Sequence, residues 1–300
     1  YTDRARSWYT NGIDCLAVLG WIVRDNEFIR IRAPIGQLAG SAILFWQNSL
    51  GTIIERNKLI ECDLGISFGN PSGPGSNARN GETVYDNQNG IIRNNFIFRN
   101  GTGDVGITLN KANNFKVYNN TVILNGTFYW NIEYRFEPSN GEIYYILTDG
   151  DIISRDGGNA DLVGNIISVE NDWFVDITNG NLHLTELATP LIDQADYLTD
   201  VTDDIDRDIR PIGALSDIGA DEYNSSGVMK KPYISPNPCN IYMGERFITF
   251  NNLSSGDKIE LFNVLGKCIF NSGIITNNTL RWDVNNISSG VYFYKVIGQQ

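Results

Sequence analysis

The stretch Asp104–Asn120 reads DVGITLNKANNFKVYNN and decides how the chain folds. It contains two short strands, VGITLN and FKVYNN, separated by a polar corner. The second strand has relatives along the chain that align without gaps. Their fifth position is occupied by Asn26, Asn57, Asn95, Asn120 and Asn165. A degraded copy, EIYYIL, has Ile146 at that position. An Asn that returns at one phase of an imperfect repeat is typical of a coil in which every turn bends at the same place.

The first strand of the stretch also recurs, and each copy precedes a copy of the second strand. The copies read SAILFWQ, LGISFGN, VGITLNK, WNIEYRF and GDIISRD. The unit is therefore strand, corner, strand, corner, repeated about every 19 to 38 residues, which indicates a solenoid. Because the unit holds strands only, we predict a parallel β-helix with two strands in each turn. The aligned Asn side chains are expected to hydrogen-bond to one another along the stack.

Composition excludes two classes of protein. The 300 residues carry a formal net charge of −12, which argues against a nucleic-acid partner because phosphates require a basic surface. The sequence holds no run of eighteen apolar residues, so no transmembrane segment is predicted. The chain begins almost directly with a rung and ends at VIGQQ. We therefore expect an N-terminal part and a last strand to be missing from it.

Cysteine and histidine usage predicts no metal site. The four Cys residues are Cys15, Cys62, Cys239 and Cys268, and none of them forms a CxxC motif. His183 is the only histidine, and we assign it a structural role. Two alternatives stay open for the cysteines: one disulfide in each half of the chain, or four free thiols.

The chain divides by pattern into a long and a short part. Residues 1–223 are predicted to form the β-helix, with an Asp-rich C-terminal cap at 171–223 that covers an open end. The insert at 69–89, rich in Gly, Asn, Ser and Pro, is expected to be a loop. A polar linker at 224–231 precedes a small antiparallel β-sandwich at 232–300, where apolar and polar residues alternate.

Two blocks carry resemblances to known families. The block DDIDRDIRPIGALSDIGADEY, at 203–223, resembles the closing motif of secreted bacterial right-handed parallel β-helix proteins of the pectate-lyase-like superfamily. It departs from that motif at Ile205, where the family has Gly, and in a longer spacing before Arg210. The resemblance implies a right-handed β-helix with polysaccharide as partner. The superfamily includes lyases, hydrolases, epimerases and members without a known reaction.

The second block lies at the C-terminal end. SPNP, ELFNVLGKCIF and LRWDVNNISSGVYFYKV resemble the C-terminal sorting domain of type IX secretion substrates. The resemblance implies the type IX secretion machinery as a partner. It also implies a final location outside the cell or on the outer-membrane surface.

The pleat of the first strand set predicts one outward face. Inward positions are apolar, and the alternate positions must point out. The outward side chains that could carry chemistry are Trp46, Asn110, Glu133, Arg135 and Arg155, with Lys111 at the adjoining corner and Asp104 at a strand entry. We expect this face to span several sugar units.

A polysaccharide lyase is the enzyme class that this face suggests. Arg135 and Arg155 would neutralise a uronate carboxylate, since guanidinium binds carboxylate bidentately. Lys111 would act as the base, and Glu133 would complete the catalytic set. Trp46, Asn110 and Asp104 would bind the substrate. A cross-strand ion pair of Glu133 with an Arg is the structural alternative.

Other interpretations stay open at this stage. A hydrolase would use two carboxylates among Asp104, Glu133, Asp151 and Asp156. A non-catalytic adhesin, or a structural component of an extracellular assembly, would use the solenoid as a scaffold. Ca²⁺ is the cofactor that the acidic cap suggests, through Asp200, Asp203, Asp204, Asp206 and Asp208. The cap lacks the D-x-[DN]-x-[DN]-G loop, so a solvated acidic surface is favoured.

Overall fold

The computed structural model divides into two compact units, Tyr1–Tyr223 and Asn224–Gln300. It describes residues 7, 9–224, 233–235, 246–251, 253, 255–285 and 287–298. The predicted linker at 224–231 lies outside the described residues apart from Asn224. Across the described ranges, no helix is long and apolar enough to cross a membrane.

The first unit is a parallel β-helix of six turns. Its first three turns contain β1 (Ile13–Leu16), β2 (Ile22–Arg24) and β3 (Glu27–Ile29), then β4 (Ser41–Trp46), β5 (Ser49–Leu50), β6 (Ile53–Glu55) and β7 (Lys58–Ile60), then β8 (Leu64–Phe68), β9 (Asn87–Gln88), β10 (Ile91–Arg93) and β11 (Phe96–Phe98). Its last three turns contain β12 (Ile107–Asn110), β13 (Ala112–Tyr118) and β14 (Thr121–Ile123), then β15 (Ile132–Arg135), β16 (Asn140–Tyr144) and β17 (Leu147–Thr148), then β18 (Ile152–Arg155) and β19 (Asp161–Val163). A short 3₁₀ turn, Arg79–Gly81, lies in the insert.

Each of the first five turns contributes a strand to three parallel sheets, and the sixth turn contributes to the first two. The first sheet has the order β1-β4-β8-β12-β15-β18, the second β2-β6-β10-β13-β16-β19, and the third β3-β7-β11-β14-β17. The prediction of two strands in each turn is therefore wrong. The third strand is only two or three residues long and follows the Asn corner directly, so the repeat merges it with the second strand.

The recurring Asn marks the corner between the second and third sheets. The side-chain Nδ2 of Asn57 lies 3.0 Å from Asn95 Oδ1, and that of Asn95 lies 2.9 Å from Asn120 Oδ1. The same oxygens accept backbone N–H groups from the preceding turn. In every copy of the repeat, the residue directly before the Asn, or before Ile146 in the degraded copy, has a positive φ. These residues are Asp25, Arg56, Asn94, Asn119, Tyr145 and Gly164. The predicted Asn ladder is confirmed, and a left-handed residue makes each bend.

The core of the coil is apolar and fully enclosed. Inward side chains of the first sheet, including Ile43, Phe45, Ile66, Phe68 and Ile107, have no accessible surface. They pack against inward residues of the other two sheets, such as Ile54, Val117 and Val122. Alternation with a period of two places these residues inside, as the sequence predicts.

Residues 171–223 lie along the outside of the third sheet. They contain 3₁₀ turns at Asn171–Trp173 and Ile177–Asn179 and the antiparallel pair β20 (Phe174–Asp176) and β21 (Asn181–Leu184). Their core residues, including Leu182 and Leu191, pack against the outward side chains of Phe96 and Phe98. The sequence predicts a cap over an open end. These contacts instead follow the side of the coil, because the third sheet also carries apolar residues on its outward face, among them Phe96, Phe98 and Ile123.

A network of buried charges holds this segment together. The Arg210 side chain has no exposure, and its guanidinium pairs with Glu222 and donates to the carbonyl groups of Asp217 and Gly219. Asp204 accepts backbone N–H groups from Asp206, Asp208 and Glu222. Burial raises the pKa of Asp204 and of Asp217. The prediction of a solvated acidic surface is wrong for Asp204, which is 1% exposed.

The second unit contains two antiparallel sheets. Its strands are β22 (Tyr233–Ser235), β23 (Phe247–Asn251), β24 (Lys258–Asn263), β25 (Cys268–Ile274), β26 (Leu280–Asp283) and β27 (Tyr292–Ile297). The sheets have the orders β22-β23-β26 and β25-β24-β27. Phe250 and Leu261 are the centre of the core between them. The predicted all-β class, a parallel β-helix followed by a small β-sandwich, is confirmed.

The described cysteines are free thiols. Cys15 and Cys62 do not form the disulfide that one alternative proposed for the first half of the chain. Burial raises the pKa of the Cys62 thiol to about 11, so that thiol stays protonated and packs as an apolar group. Cys268 is exposed and free, and Cys239 lies outside the described residues.

Candidate functional site

The outward face of the first sheet has the register that the sequence predicts. Thr108 pairs with Glu133, Asn110 with Arg135, and Arg135 with Arg155. Adjacent strands in such a sheet lie about 4.8 Å apart. The polar side chains therefore follow one another along the outside of the coil.

Two of the predicted substrate-binding residues are engaged elsewhere. Asn110 is fully buried, and its Nδ2 donates to Thr108 Oγ1 and to the Gly69 carbonyl. A buried amide cannot contact a polymer, so Asn110 is removed from the candidate site. Trp46 is half-buried and donates its Nε1–H to Asp14 Oδ1 over 2.8 Å. It lies three strands from Arg135 in the sheet order, a separation of about 14 Å.

A cluster of aromatic and charged residues lies on the outward face of the first sheet and in the loops that lead into β12 and β15. We call it the Trp130 site and define it as Asp104, Tyr129, Trp130, Glu133 and Arg155. The guanidinium carbon of Arg155 lies 4.7 Å from the centre of the Trp130 ring. Arg155 Nη1 lies 2.7 Å from Glu133 Oε2, and the Trp130 Nε1–H donates to the same oxygen over 3.0 Å.

The carboxylates of the Trp130 site have different environments. Glu133 has a side chain that is 8% exposed, and its Oε1 accepts from Thr108 Oγ1 over 2.9 Å. Asp104 is half-buried, and its Oδ1 accepts the backbone N–H of Val105. Burial, reinforced by the charge of Glu133, raises the pKa of Asp104. The site therefore presents hydrogen-bond acceptors beside one guanidinium donor.

The aromatic loop that leads into β15 is open to solvent. Tyr129 is 84% exposed, and its ring lies 6.0 Å from that of Trp130. Phe128 packs edge-on against Trp130, with ring centres 5.2 Å apart. Phe128 and Tyr129 fall in a loop outside both strand repeats, and Trp130 is the first residue of the WNIEYRF copy, so the repeats did not indicate these three residues as a site. The run of three aromatic residues FYW in a polar loop was the signal that could have found them.

A second group surrounds Phe136, at the other end of the same strands. We call it the Phe136 cluster, made of Lys111, Arg135, Phe136 and Asp156. Lys111 Nζ lies 5.4 Å and the Arg135 guanidinium carbon 4.8 Å from the centre of the Phe136 ring. Arg135 Nη2 also pairs with Asp156 Oδ2 at 2.7 Å. The loop at Gly73 lies against the Lys111 side chain.

The two arginines of the predicted lyase set therefore point to different partners. Arg155 binds Glu133 and Trp130, whereas Arg135 binds Asp156 and Phe136. Although their backbones are in register, each guanidinium already has its own carboxylate. The cross-strand ion pair of Glu133 named as the structural alternative is present.

Comparison with known proteins identifies the second unit. Residues 233–300 match the family described as the secretion system C-terminal sorting domain. No curated protein and no solved structure matches the chain. The matched residues coincide with the β-sandwich strands from Tyr233 onward. The chain therefore carries a type IX secretion sorting domain, which indicates secretion to the cell surface or the extracellular medium.

Proposed function

We propose that the protein is a secreted β-helix that binds a neutral polysaccharide at the Trp130 site without cleaving it. The observation that carries the proposal is the pairing of Arg155 with Glu133 beside Trp130 and the exposed ring of Tyr129. An aromatic face packs against the apolar face of a sugar ring, and flanking carboxylate and guanidinium groups bind its hydroxyls.

Charge favours an uncharged polymer over an acidic one. The chain has a formal net charge of −12, and the Trp130 site holds two carboxylates, Asp104 and Glu133, against the single cation Arg155. A uronate at this position would meet a guanidinium that is already neutralised. Sugar hydroxyls can donate to the carboxylates and accept from the guanidinium without bringing charge to the site.

The proposal predicts that Tyr129→Ala weakens binding of a neutral polysaccharide about tenfold, or about 1.4 kcal/mol. The loss would come from the missing stacking surface. Because the side chain is 84% exposed, its removal leaves the fold intact. Affinity electrophoresis against a panel of neutral and acidic polysaccharides would find the polymer, and calorimetry with its oligosaccharides would measure the affinity.

Tyr197→Ala is the matched control, because Tyr197 is 54% exposed and lies in the segment along the third sheet. It should bind like the unmodified protein. Equal binding by both variants would contradict the proposed site. Retardation by acidic polymers alone would contradict the proposed class of ligand.

A second candidate is cleavage of a uronic acid polymer by β-elimination at the Phe136 cluster. Its support is that Lys111 and Arg135 lie over the same ring. Against it, a substrate carboxylate would have to displace Asp156 from Arg135.

We expect no rise in ultraviolet absorbance from an unsaturated product when the protein meets acidic polysaccharides, with or without Ca²⁺. A rise that is lost in Lys111→Ala and kept in Lys116→Ala would establish a lyase and replace the binding proposal. Lys116 is a suitable control because it lies on the second sheet, where it pairs with Asp200.

A further inference from the structure

Three potential metal ligands from distant parts of the sequence meet beside β21. They are His183, Asp206 and Asp221, and their ligating atoms all lie within 4.8 Å of one another. His183 Nε2 lies 3.0 Å from Asp206 Oδ2. Asp221 is 5% exposed, and the side chains of His183 and Asp206 are 14% and 21% exposed. The group therefore lies in a partly enclosed position that an ion from solvent can reach.

The surroundings of His183 orient its ring for ligation. Nδ1 contacts the side-chain oxygen of Asn181, which can only accept, so this contact favours the form of the ring that carries a proton on Nδ1. Nε2 faces Asp206 Oδ2 at 3.0 Å, and a metal ion would take the place of the proton shared in this contact. The edge of Phe96 packs against the imidazole with ring centres 5.1 Å apart. Metal-binding histidines are commonly fixed in this way by a hydrogen bond on the second nitrogen.

The carboxylate of Asp221 is also held in place. Its Oδ2 accepts the backbone N–H of Leu184 over 2.7 Å, which ties it to the same strand that carries His183. Asp206 is anchored through its own N–H, which donates to Asp204 Oδ1 over 2.8 Å. Hydrogen bonds outside the group therefore hold the His183 ring, the Asp221 carboxylate and the backbone of Asp206.

The charge of the segment also favours a cation. Residues 171–223 contain thirteen Asp and Glu residues against two Arg residues, so nearly all of the formal net charge of −12 lies in this segment. Most of this charge is not compensated within the segment. A divalent ion at His183 would lower the repulsion among the surrounding carboxylates.

We propose that His183, Asp206 and Asp221 bind one Zn²⁺ ion, which joins β21 to the Asp-rich loop and to the end of the segment. The imidazole nitrogen selects Zn²⁺ over Ca²⁺, because Ca²⁺ takes six to eight oxygen ligands and Zn²⁺ takes nitrogen and oxygen together. Because bonds from Zn²⁺ to nitrogen and oxygen are about 2.0–2.2 Å long, the three side chains must move slightly closer together when the ion binds. A water molecule completes the four-coordinate shell.

The test uses the full chain without a histidine tag, freed of metal by chelation. A competition titration with a chromophoric zinc chelator should show one Zn²⁺ bound per chain. Because His183 is the only histidine, its ring signals in an NMR spectrum should shift on addition of Zn²⁺. Zn²⁺ should also raise the unfolding temperature of the first unit.

Two variants and one control locate the site. Asp206→Asn and His183→Gln should each weaken Zn²⁺ binding more than tenfold. Asp172→Asn, which removes an exposed carboxylate from the same segment, should bind normally. Histidine signals that do not move, or equal Zn²⁺ binding by Asp206→Asn and Asp172→Asn, would overturn the proposal and leave a metal-free ion pair.

Discussion

Asn95→Ala is expected to lower the free energy of unfolding of the first unit by roughly 3 kcal/mol or more. The substitution removes the oxygen that accepts from the backbone N–H and Nδ2 of Asn57. It also removes the amide that donates to the carbonyl groups of Ile54 and Arg93. All of these groups lie at an enclosed corner, and an unsatisfied buried group costs about 1–3 kcal/mol. Calorimetry on the full chain would follow the transition of the larger unit.

Asn26→Ala is the matched control for this prediction. Asn26 occupies the same phase of the repeat in the first turn, but its side chain is exposed. Water can replace its hydrogen bonds, so we expect a loss below about 1 kcal/mol. Similar losses in the two variants would mean that burial of the ladder contributes little to the stability of the coil.

Arg210→Ala is expected to cost about 3–5 kcal/mol, because it leaves buried carboxylates without their cation. The guanidinium of Arg210 binds Glu222, whose side chain is 1% exposed, and also donates to carbonyl groups of the same segment. Arg207→Ala is the control, since the Arg207 side chain is 60% exposed and pairs with Asp25 at the surface. We expect a loss below about 1 kcal/mol there. Thermal unfolding followed by circular dichroism would compare the two variants.

The effect of Arg210→Ala should also depend on pH. Burial raises the pKa of Asp204 and Asp217 in the folded protein above the values of the unfolded chain. Such groups take up protons in the folded state first, so stability rises as the pH falls through the raised pKa values. Removal of the cation strengthens this trend. The stability lost in Arg210→Ala should be smaller at about pH 5 than at about pH 8. A loss of stability that is independent of pH would contradict this explanation.

The repeat allowed the sequence to predict the coil and one of its faces. An Asn at a fixed phase is visible in the sequence because one side chain satisfies the same corner in successive turns. The inward residues of the first sheet were predicted correctly because alternation is a direct consequence of the pleat. The register of Glu133, Arg135 and Arg155 followed from the same alignment.

Features outside the repeat could not be predicted in this way. The third sheet consists of strands too short to show a period of their own. Tyr129 and Trp130 lie in a loop, and the closeness of Trp130 to Arg155 depends on how that loop returns to the sheet. The burial of Asn110 depends on its hydrogen bonds to Thr108 and Gly69. His183 and Asp221 meet only because the segment 171–223 folds back on itself.

Hydrogen–deuterium exchange on the full chain, with and without a polysaccharide that binds it, would locate the binding surface. We expect the polysaccharide to slow exchange in the aromatic loop at 125–131 and in β15 and β18, which carry Glu133 and Arg155. Protection confined to the outer face of the second sheet, at 116–118 and 142–144, would contradict the Trp130 site as the binding surface.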